Sequence, residues 1–409
     1  MPNINTSVFR VFLPFAFGYF LSYLFRVVNA VIAPDLVADL HINPSQLGLL
    51  TATYFIAFAS SQLPLGILLD RFGPRIVESF LLIFAGVGAV IFAKSHTLMG
   101  VIIGRAFIGF GVSACLMAAF KSYVIWFPEK LWPRINGFQM AAGGLGALSA
   151  TTPVEWLLGV TDWRGLFLIL AILSFISGLC VFFFVPEKKS HNSQESFSLQ
   201  INGIKQVFKS RYFWRIAPLT AMTQASFVAL QGLWAGPWLR DIAGMDRPEA
   251  SMVLFWAAAS LTAGYIGLGL IAENLAQRGI SILRTAVTGM GIFIGIQMFI
   301  AFQVSIAPTF LWILFGFFGT AGILSYSALS SSFPRTLSGR VTTSINLLVF
   351  VGAFILQWLV GAIINLWEVS AAGNYHPSGY RAGFLTILFL QLAGLAWCLL
   401  PEFKKKKLT

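Results

Sequence analysis

Twelve runs of largely apolar residues, each about twenty or more long, fill this chain and leave little between them. They cover roughly 9–33, 46–69, 76–94, 98–126, 135–158, 164–185, 212–239, 249–271, 282–304, 308–332, 341–366 and 382–400. Coiled as a helix at about 1.5 Å per residue, such a run matches the ~30 Å hydrocarbon core of a bilayer. Lipid offers no partner to a backbone N–H or C=O, so each run must close its own hydrogen bonds as an α-helix. A soluble protein of this kind would need a charged surface. Only 10% of the 409 residues are charged, against about 25% in soluble domains. An all-α, polytopic membrane protein is therefore expected.

The formal net charge of +12 would suit a nucleic-acid partner, but its distribution excludes one. With the N-terminus in the cytoplasm, 19 of the 27 basic residues fall on that side: Arg10, Arg71, Arg75, Lys130, Arg134, Lys188, Lys189, Lys205, Lys209, Arg211, Arg215, Arg278, Arg284, Arg335, Arg340 and Lys404 to Lys407. Lys94, Arg164, Arg240, Arg247 and Arg381 fall on the other. This is the positive-inside asymmetry. It predicts a protein of the cytoplasmic (inner) membrane, in contact with lipid, with both termini cytoplasmic. Arg26, Arg105 and Lys121 remain, inside the runs.

Other chemistries leave no trace. Cys115, Cys180 and Cys398 lie in apolar runs at unrelated spacings, implying neither disulfides nor a metal site. The first run is too long for a cleavable signal and lacks a small-residue cleavage site. No G-x-x-x-x-G-K loop is present to cradle ATP. No nucleophile, base and acid gather in an enzyme-like pattern, and no cofactor is expected.

Residues 66–75, GILLDRFGPR, join the second and third runs by a very short charged hairpin. Gly66 and Gly73 permit tight backbone approach, while Asp70, Arg71 and Arg75 stand at helix ends that their charges can complement. The pattern G-x-x-x-D-R-x-G-x-R resembles the loop between helices 2 and 3 of the major facilitator superfamily of transporters. The chain also repeats itself. GLIAENLAQRG, 269–279, is a degraded copy of that loop, with Glu273 in place of Asp70 and Arg278 near its end. FPEKLWPR (127–134) and FPRTLSGR (333–340) share F-P-x-x-L-x-x-R, 206 residues apart. VPEKK (185–189) and LPEFKK (400–405) close the two halves alike. With this duplication, the resemblance implies two pseudo-symmetric six-helix bundles, the major facilitator fold. The bundles are expected at 1–185 and 212–401, with a cytoplasmic linker at 186–211 and a basic tail at 402–409. FSLQINGIKQVFKS in the linker reads as a short surface helix.

An ionisable group inside a span is costly and usually faces a cavity or a partner. Arg26 lies in YLFRVVNAVIAPDL (23–36), with Pro34 eight residues on. Y-L-x-R with this proline resembles helix 1 of the organophosphate:phosphate antiporters, and the anion:cation symporters share the Arg-to-Pro spacing. The resemblance implies that Arg26 binds the substrate's anionic group, a task suited to a planar, permanently charged fork. A structural arginine neutralised by helix-end carbonyls or by Asp35 is the alternative. The same families place a basic residue five before their W-F-P or W-W-S, as Lys121 stands before Trp126. Lys121 would lie roughly 10 Å inside the end of the fourth span, facing the cavity or snorkelling.

Arg105 opens RAFIGFG, which resembles the R-x-x-x-G-x-G early in helix 4 of many relatives. There it implies conformational or proton coupling; bonding a neighbour's carbonyls is the structural alternative. Arg105 and Lys121 are 16 residues apart, about 160° around a helix, so they belong to different faces. In the seventh span, Gln231 and Trp234 are candidate substrate contacts, because the superfamily fold sets helix 7 across from helix 1. Asn29 is a further polar candidate. The acids nearest the spans, Asp35, Glu78, Glu155 and Asp241, read as lying toward ends, and Glu155 is the remaining candidate for a proton carrier.

The resemblance also breaks. No basic residue stands in the middle of the seventh span, which disfavours phosphate monoesters relative to carboxylates. Phe25 precedes Arg26 where proton symporters of the anion family carry an acid, and the fourth span has none. AAGGLGAL (141–148) lacks the adjacent Gly-Pro of drug antiporters. The reading is a secondary transporter, monomeric and not an enzyme, moving a small organic anion with a coupling proton or counter-anion. Export of drug-like or siderophore-like compounds, uptake of neutral amino acids or nucleosides, and a non-transporting sensor stay open.

Overall fold

In the computed structural model, residues 7–186, 197–304, 307–334, 337–370 and 373–400 are described. Every regular element among them is helical. A π-turn at Val8–Phe12 leads into α1 (Leu13–Val27), which continues as α2 (Asn29–Leu40). α3 (Pro44–Lys94) starts on a reciprocal cap between Asn43 and Gln46 and carries both the second and third spans. They divide at Gly73, whose φ of 77° and ψ of 158° only glycine adopts readily. α4 (Leu98–Gly111) and α5 (Cys115–Trp126) form the fourth span, α6 (Trp132–Ser149) and α7 (Thr152–Leu158) the fifth, and α8 (Trp163–Phe184) the sixth.

α9 (Phe197–Lys209) is the helix expected in the linker. It docks rather than floats: Val207 is buried with Phe213, Ile216, Val341 and Ile345. α10 (Arg211–Ala229), a π-segment at Leu230–Trp234 and α11 (Ala235–Asp241) make the seventh span. Then follow α12 (Arg247–Gln277), α13 (Ile282–Ala301), α14 (Pro308–Phe318) with α15 (Gly322–Ser331), α16 (Ser338–Ile364) and α17 (Pro377–Leu399). Linker residues 187–196, Arg335 and the basic tail 402–409 lie outside the described residues.

Nine helical segments among the described residues are long and apolar enough to cross a membrane. The remaining expected spans, the second, fifth and seventh, are helical but more polar. Their polar residues point inward: Gln62, Gln139, Gln224 and Gln231 are all buried. The outer surface is the reverse, with Trp156 74%, Phe183 72% and Phe389 71% exposed. Water would penalise that surface and lipid does not. The fourth span lies tight against the second, because a Cβ on Gly109 would meet the Tyr54 carbonyl oxygen at 2.2 Å.

Gly73→Ala introduces a side chain into a backbone region that costs about 1–3 kcal/mol. Nothing stands within 4 Å of its Cβ, so the penalty is purely conformational. Thermal unfolding of the purified protein should shift down by a few degrees, and an unchanged midpoint would show that the hairpin relaxes freely.

Candidate functional site

On α1, Tyr19, Ser22, Tyr23 and Arg26 follow the i, i+3, i+4, i+7 rule and present one face. All four line a cavity of about 530 Å³ between the two halves of the chain. Phe58 and Gln62 of α3 and Ser113, at the break between α4 and α5, complete one wall. Gln224 of α10, Gln231, Tyr265 of α12, Tyr326 of α15, and Asn346 and Phe350 of α16 form the other. Gln231 gets there through the π-segment, a helix irregularity that recurs at functional sites. Tyr23 and Tyr265 join the walls with their hydroxyls 3.1 Å apart.

Arg26 is the charge of this cavity. Its guanidinium stands over the rings of Tyr23, Phe350 and Phe58 at 4.4, 5.3 and 5.6 Å. It is 8% exposed, its Nε has no hydrogen-bond partner, and no carboxylate pairs with it among the described residues. Cation–π contacts contribute about 0.5–2 kcal/mol each. Removing an unpaired charge from water costs several kcal/mol. Aromatic contacts offset part of this cost, and an anion entering the cavity would supply the rest.

The other sequence-predicted residues disperse. Gln231 lines the cavity, whereas Asn29 and Trp234 lie behind it. Asn29 donates to Thr51 Oγ1 at 3.0 Å, and Trp234 Nε1 donates to the Gln357 carbonyl at 3.0 Å. Lys121 is not part of the lining; it forms an ion pair with Asp70. Arg75 donates from Nε to the Phe182 carbonyl at 2.7 Å, pinning the hairpin to α8. Gly66 is exposed and Arg71 stands over Phe72. Glu273 and Arg278 are exposed at the end of α12. Arg105 is fully buried and donates to the Phe25 carbonyl at 2.7 Å. It ties down the residue just before Arg26.

The acids have distinct fates. Asp35 takes two hydrogen bonds from Arg247, at 2.9 and 2.8 Å, so α2 and α12 are clamped across the two halves. Glu155 of α7 comes within 3.1 Å of Arg247 Nε, completing a three-residue ion cluster. Beside it, Ser251 Oγ of α12 and Thr152 Oγ1 of α7 meet at 3.2 Å. Asp241 accepts from the Tyr380 hydroxyl at 2.6 Å and the Tyr375 N–H at 3.2 Å. Glu78 is unlike the others. Read as an end residue, it is fully buried with both carboxyl oxygens unpartnered.

The cavity is thus shut at the Asp35–Arg247 end. Its lining extends the other way, to Phe120, Gly137 and Thr342, toward the end that carries Asp70 and Lys121. The sequence reading did not single out Arg247, which looked like an ordinary loop charge beside the capping Asp246. Tyr265 and Tyr326 carried no local signal among so many aromatic residues. No group of three or more potential metal ligands gathers among the described residues.

The family model described as Major Facilitator Superfamily matches residues 15–357. The chain is 25% identical over 270 residues to the hexuronate transporter of Escherichia coli (strain K12), covering 61% of this chain and 62% of that protein. It is 25% identical over 301 residues to the probable sulfoacetate transporter of Cupriavidus necator, covering 69% of each. A bacterial homologue of the human lysosomal transporter Spinster, solved inward-facing and occupied, superposes with a TM-score of 0.74 at 16% identity, over 95% of both chains.

The ion cluster makes a direct prediction. Arg247→Ala leaves Asp35 and Glu155 as unpaired like charges and should loosen that end. In a cysteine-free background with Ser251→Cys, labelling by a membrane-impermeant maleimide should rise several-fold when Arg247 is replaced. Equal labelling with and without Arg247 would show that other contacts hold the end shut.

Proposed function

This chain belongs to the major facilitator superfamily, and from that premise we propose that it carries a small organic anion across the membrane by alternating access. The observation that carries this reading is the buried, unpaired guanidinium of Arg26, facing a cavity between the halves. One cation fits one carboxylate or sulfonate; a second, for a phosphate dianion, is missing from the lining. Around it stand neutral hydrogen-bonding groups, among them Gln62, Gln224, Gln231, Thr262 and Asn346. They suit hydroxyls on a multi-carbon acid. A cavity of about 530 Å³ would leave an ion as small as nitrate out of reach of most of them. Hexuronate, named for one relative, belongs to the favoured class, whereas sulfoacetate, named for another, is a dianion without hydroxyls and fits a single-cation site less well.

The bundles 1–185 and 212–401 would rock about this site, joined by the docked linker helix. Positive-inside asymmetry assigns the Asp70 end to the cytoplasm. The arrangement described is then inward-open, with the Arg247 cluster as the outer gate. Asp70, Lys121, Arg71 and Arg75 form the inner latch. In this reading Lys121 serves the latch, and Arg26 alone anchors the charge. The cavity is complete within one chain, as a monomeric carrier requires, and the cytoplasmic membrane is its place of work.

A ligand that binds only the folded protein at 100 times its Kd adds about 2.7 kcal/mol of stability. D-Glucuronate should therefore raise the unfolding temperature of the purified protein, and uridine should not. Arg26→Ala should abolish the shift. Arg26→Lys, which keeps the charge but loses the fork, should weaken binding about tenfold, or about 1.4 kcal/mol. Acid stabilisation that survives Arg26→Ala would make Arg26 structural. Asp70→Asn should slow exchange in proteoliposomes while leaving affinity within a few-fold; lost binding would remove Asp70 from the latch.

A further inference from the structure

Glu78 sits in the third span, four residues past Pro74, in a setting the anion site does not account for. It is 0% exposed, and neither Oε1 nor Oε2 has a hydrogen-bond partner. It forms no ion pair among the described residues. We propose that Glu78 is a proton-binding site of this transporter, set against the same helix that carries Arg26. The proposal rests on the anion-transport reading for its role, though not for its existence.

Every surrounding element withholds a compensating charge. α1 presents Gly18, where a Cβ would come within 2.5 Å of Glu78 Oε1 and 3.6 Å of Ser177 Oγ. Room for the carboxyl therefore exists because residue 18 is glycine. α8 presents Ser177, whose own Oγ is buried and unpartnered. α5 presents the Cys115 thiol and, farther along, Tyr123, whose hydroxyl is committed to Gln139 Oε1 at 2.7 Å. On its own helix, Arg75 is turned to the Phe182 carbonyl. Tyr19 and Tyr23 of α1 face the cavity. A bare carboxylate here would bear a desolvation cost of several kcal/mol, with no cation and only the weak Cys115 thiol donor to offset it. The neutral acid bears little of that, and its O–H has Ser177 and Cys115 nearby. The site holds a proton, as Glu–COOH, and yields Glu–COO⁻ and H⁺ when the packing around it opens.

The link to the substrate runs along α1. Gly18, Ser22 and Arg26 recur every four residues, so Glu78 packs against α1 about 12 Å of helix rise before the Arg26 backbone. Ser22 lines the cavity between them. Any tilt of α1 that closes the cavity on an anion also changes the wall against Glu78. One proton at Glu78 with one monoanion at Arg26 makes an electroneutral pair, which is driven by a pH difference alone. Glu155 differs, because it is ion-paired, with Arg247 Nε at 3.1 Å.

Infrared spectroscopy of the purified protein tests the site without any substrate. At neutral pH the wild type should show a protonated-carboxyl C=O band that shifts in D₂O within minutes. Glu78→Gln should lack the band and Glu155→Gln should keep it. Matching spectra for the wild type and Glu78→Gln, or a band that never exchanges in D₂O, would overturn the proposal. If Glu78→Gln fails to fold, Glu78→Asp decides, since the band must then move, and an unmoved band overturns it equally. In proteoliposomes, with whichever radiolabelled acid stabilises the protein, Glu78→Gln should retain exchange and lose at least tenfold of pH-driven accumulation. Accumulation at the wild-type level would sink the coupling role. If no acid binds at all, the anion reading falls while the infrared result stands. If an acid binds and the band is missing, only Glu78 falls.

Discussion

Hydrocarbon offers a protein no hydrogen bonds, and the rest of this molecule follows from that. Backbone groups must be satisfied within each segment, so the chain becomes helical wherever it is apolar. Polar side chains have nowhere to go but inward, and the most polar spans are those that bring Gln62, Gln139, Gln224 and Gln231 to the interior. Exposed apolar residues such as Trp156, Phe183 and Phe389 face outward instead. The buried polar groups therefore gather in an otherwise apolar interior, and a cavity lined by them is a place where an ion can be held.

Three ionisable groups buried in the first half show how differently this compartment treats charge. Arg105 donates to the Phe25 carbonyl and becomes a brace for α1. Arg26, one residue further along that helix, keeps a guanidinium without a carboxylate and looks onto open volume. Glu78 has no cation, only the weakly donating Cys115 thiol beside it, and stands against α1 where residue 18 leaves room. All three touch one helix. Movement of α1 is thus felt at once by the brace, the anion anchor and the acid, which is the kind of shared element that coupling requires.

Much of the fold was legible in the chain. Run lengths predicted the spans, and GILLDRFGPR with its echo near 273 pointed to the superfamily and to duplication. The Gly73 hairpin and the linker helix both appear in place. The site was legible only in part. Arg26 and Gln231 line the cavity, while Asn29, Trp234 and Lys121 do not. Along a single helix, polarity and spacing identify a face but not what opposes it. Lys121 could not be separated from a cavity residue until Asp70, 51 positions earlier, was seen to hold it.

The sequence by itself determined that this chain crosses a membrane many times and that an arginine is buried in its first span. Those properties depend on residue type and local period, which transfer free energies alone dictate. The tertiary structure decided which buried charges are paired. Arg247 became a clamp because α12 carries it to Asp35, 212 positions away. Glu78 turned from an end residue into an isolated acid because α1, α5 and α8 enclose it. Pairing is a matter of a few ångströms between distant segments, and only the packed helices set those distances.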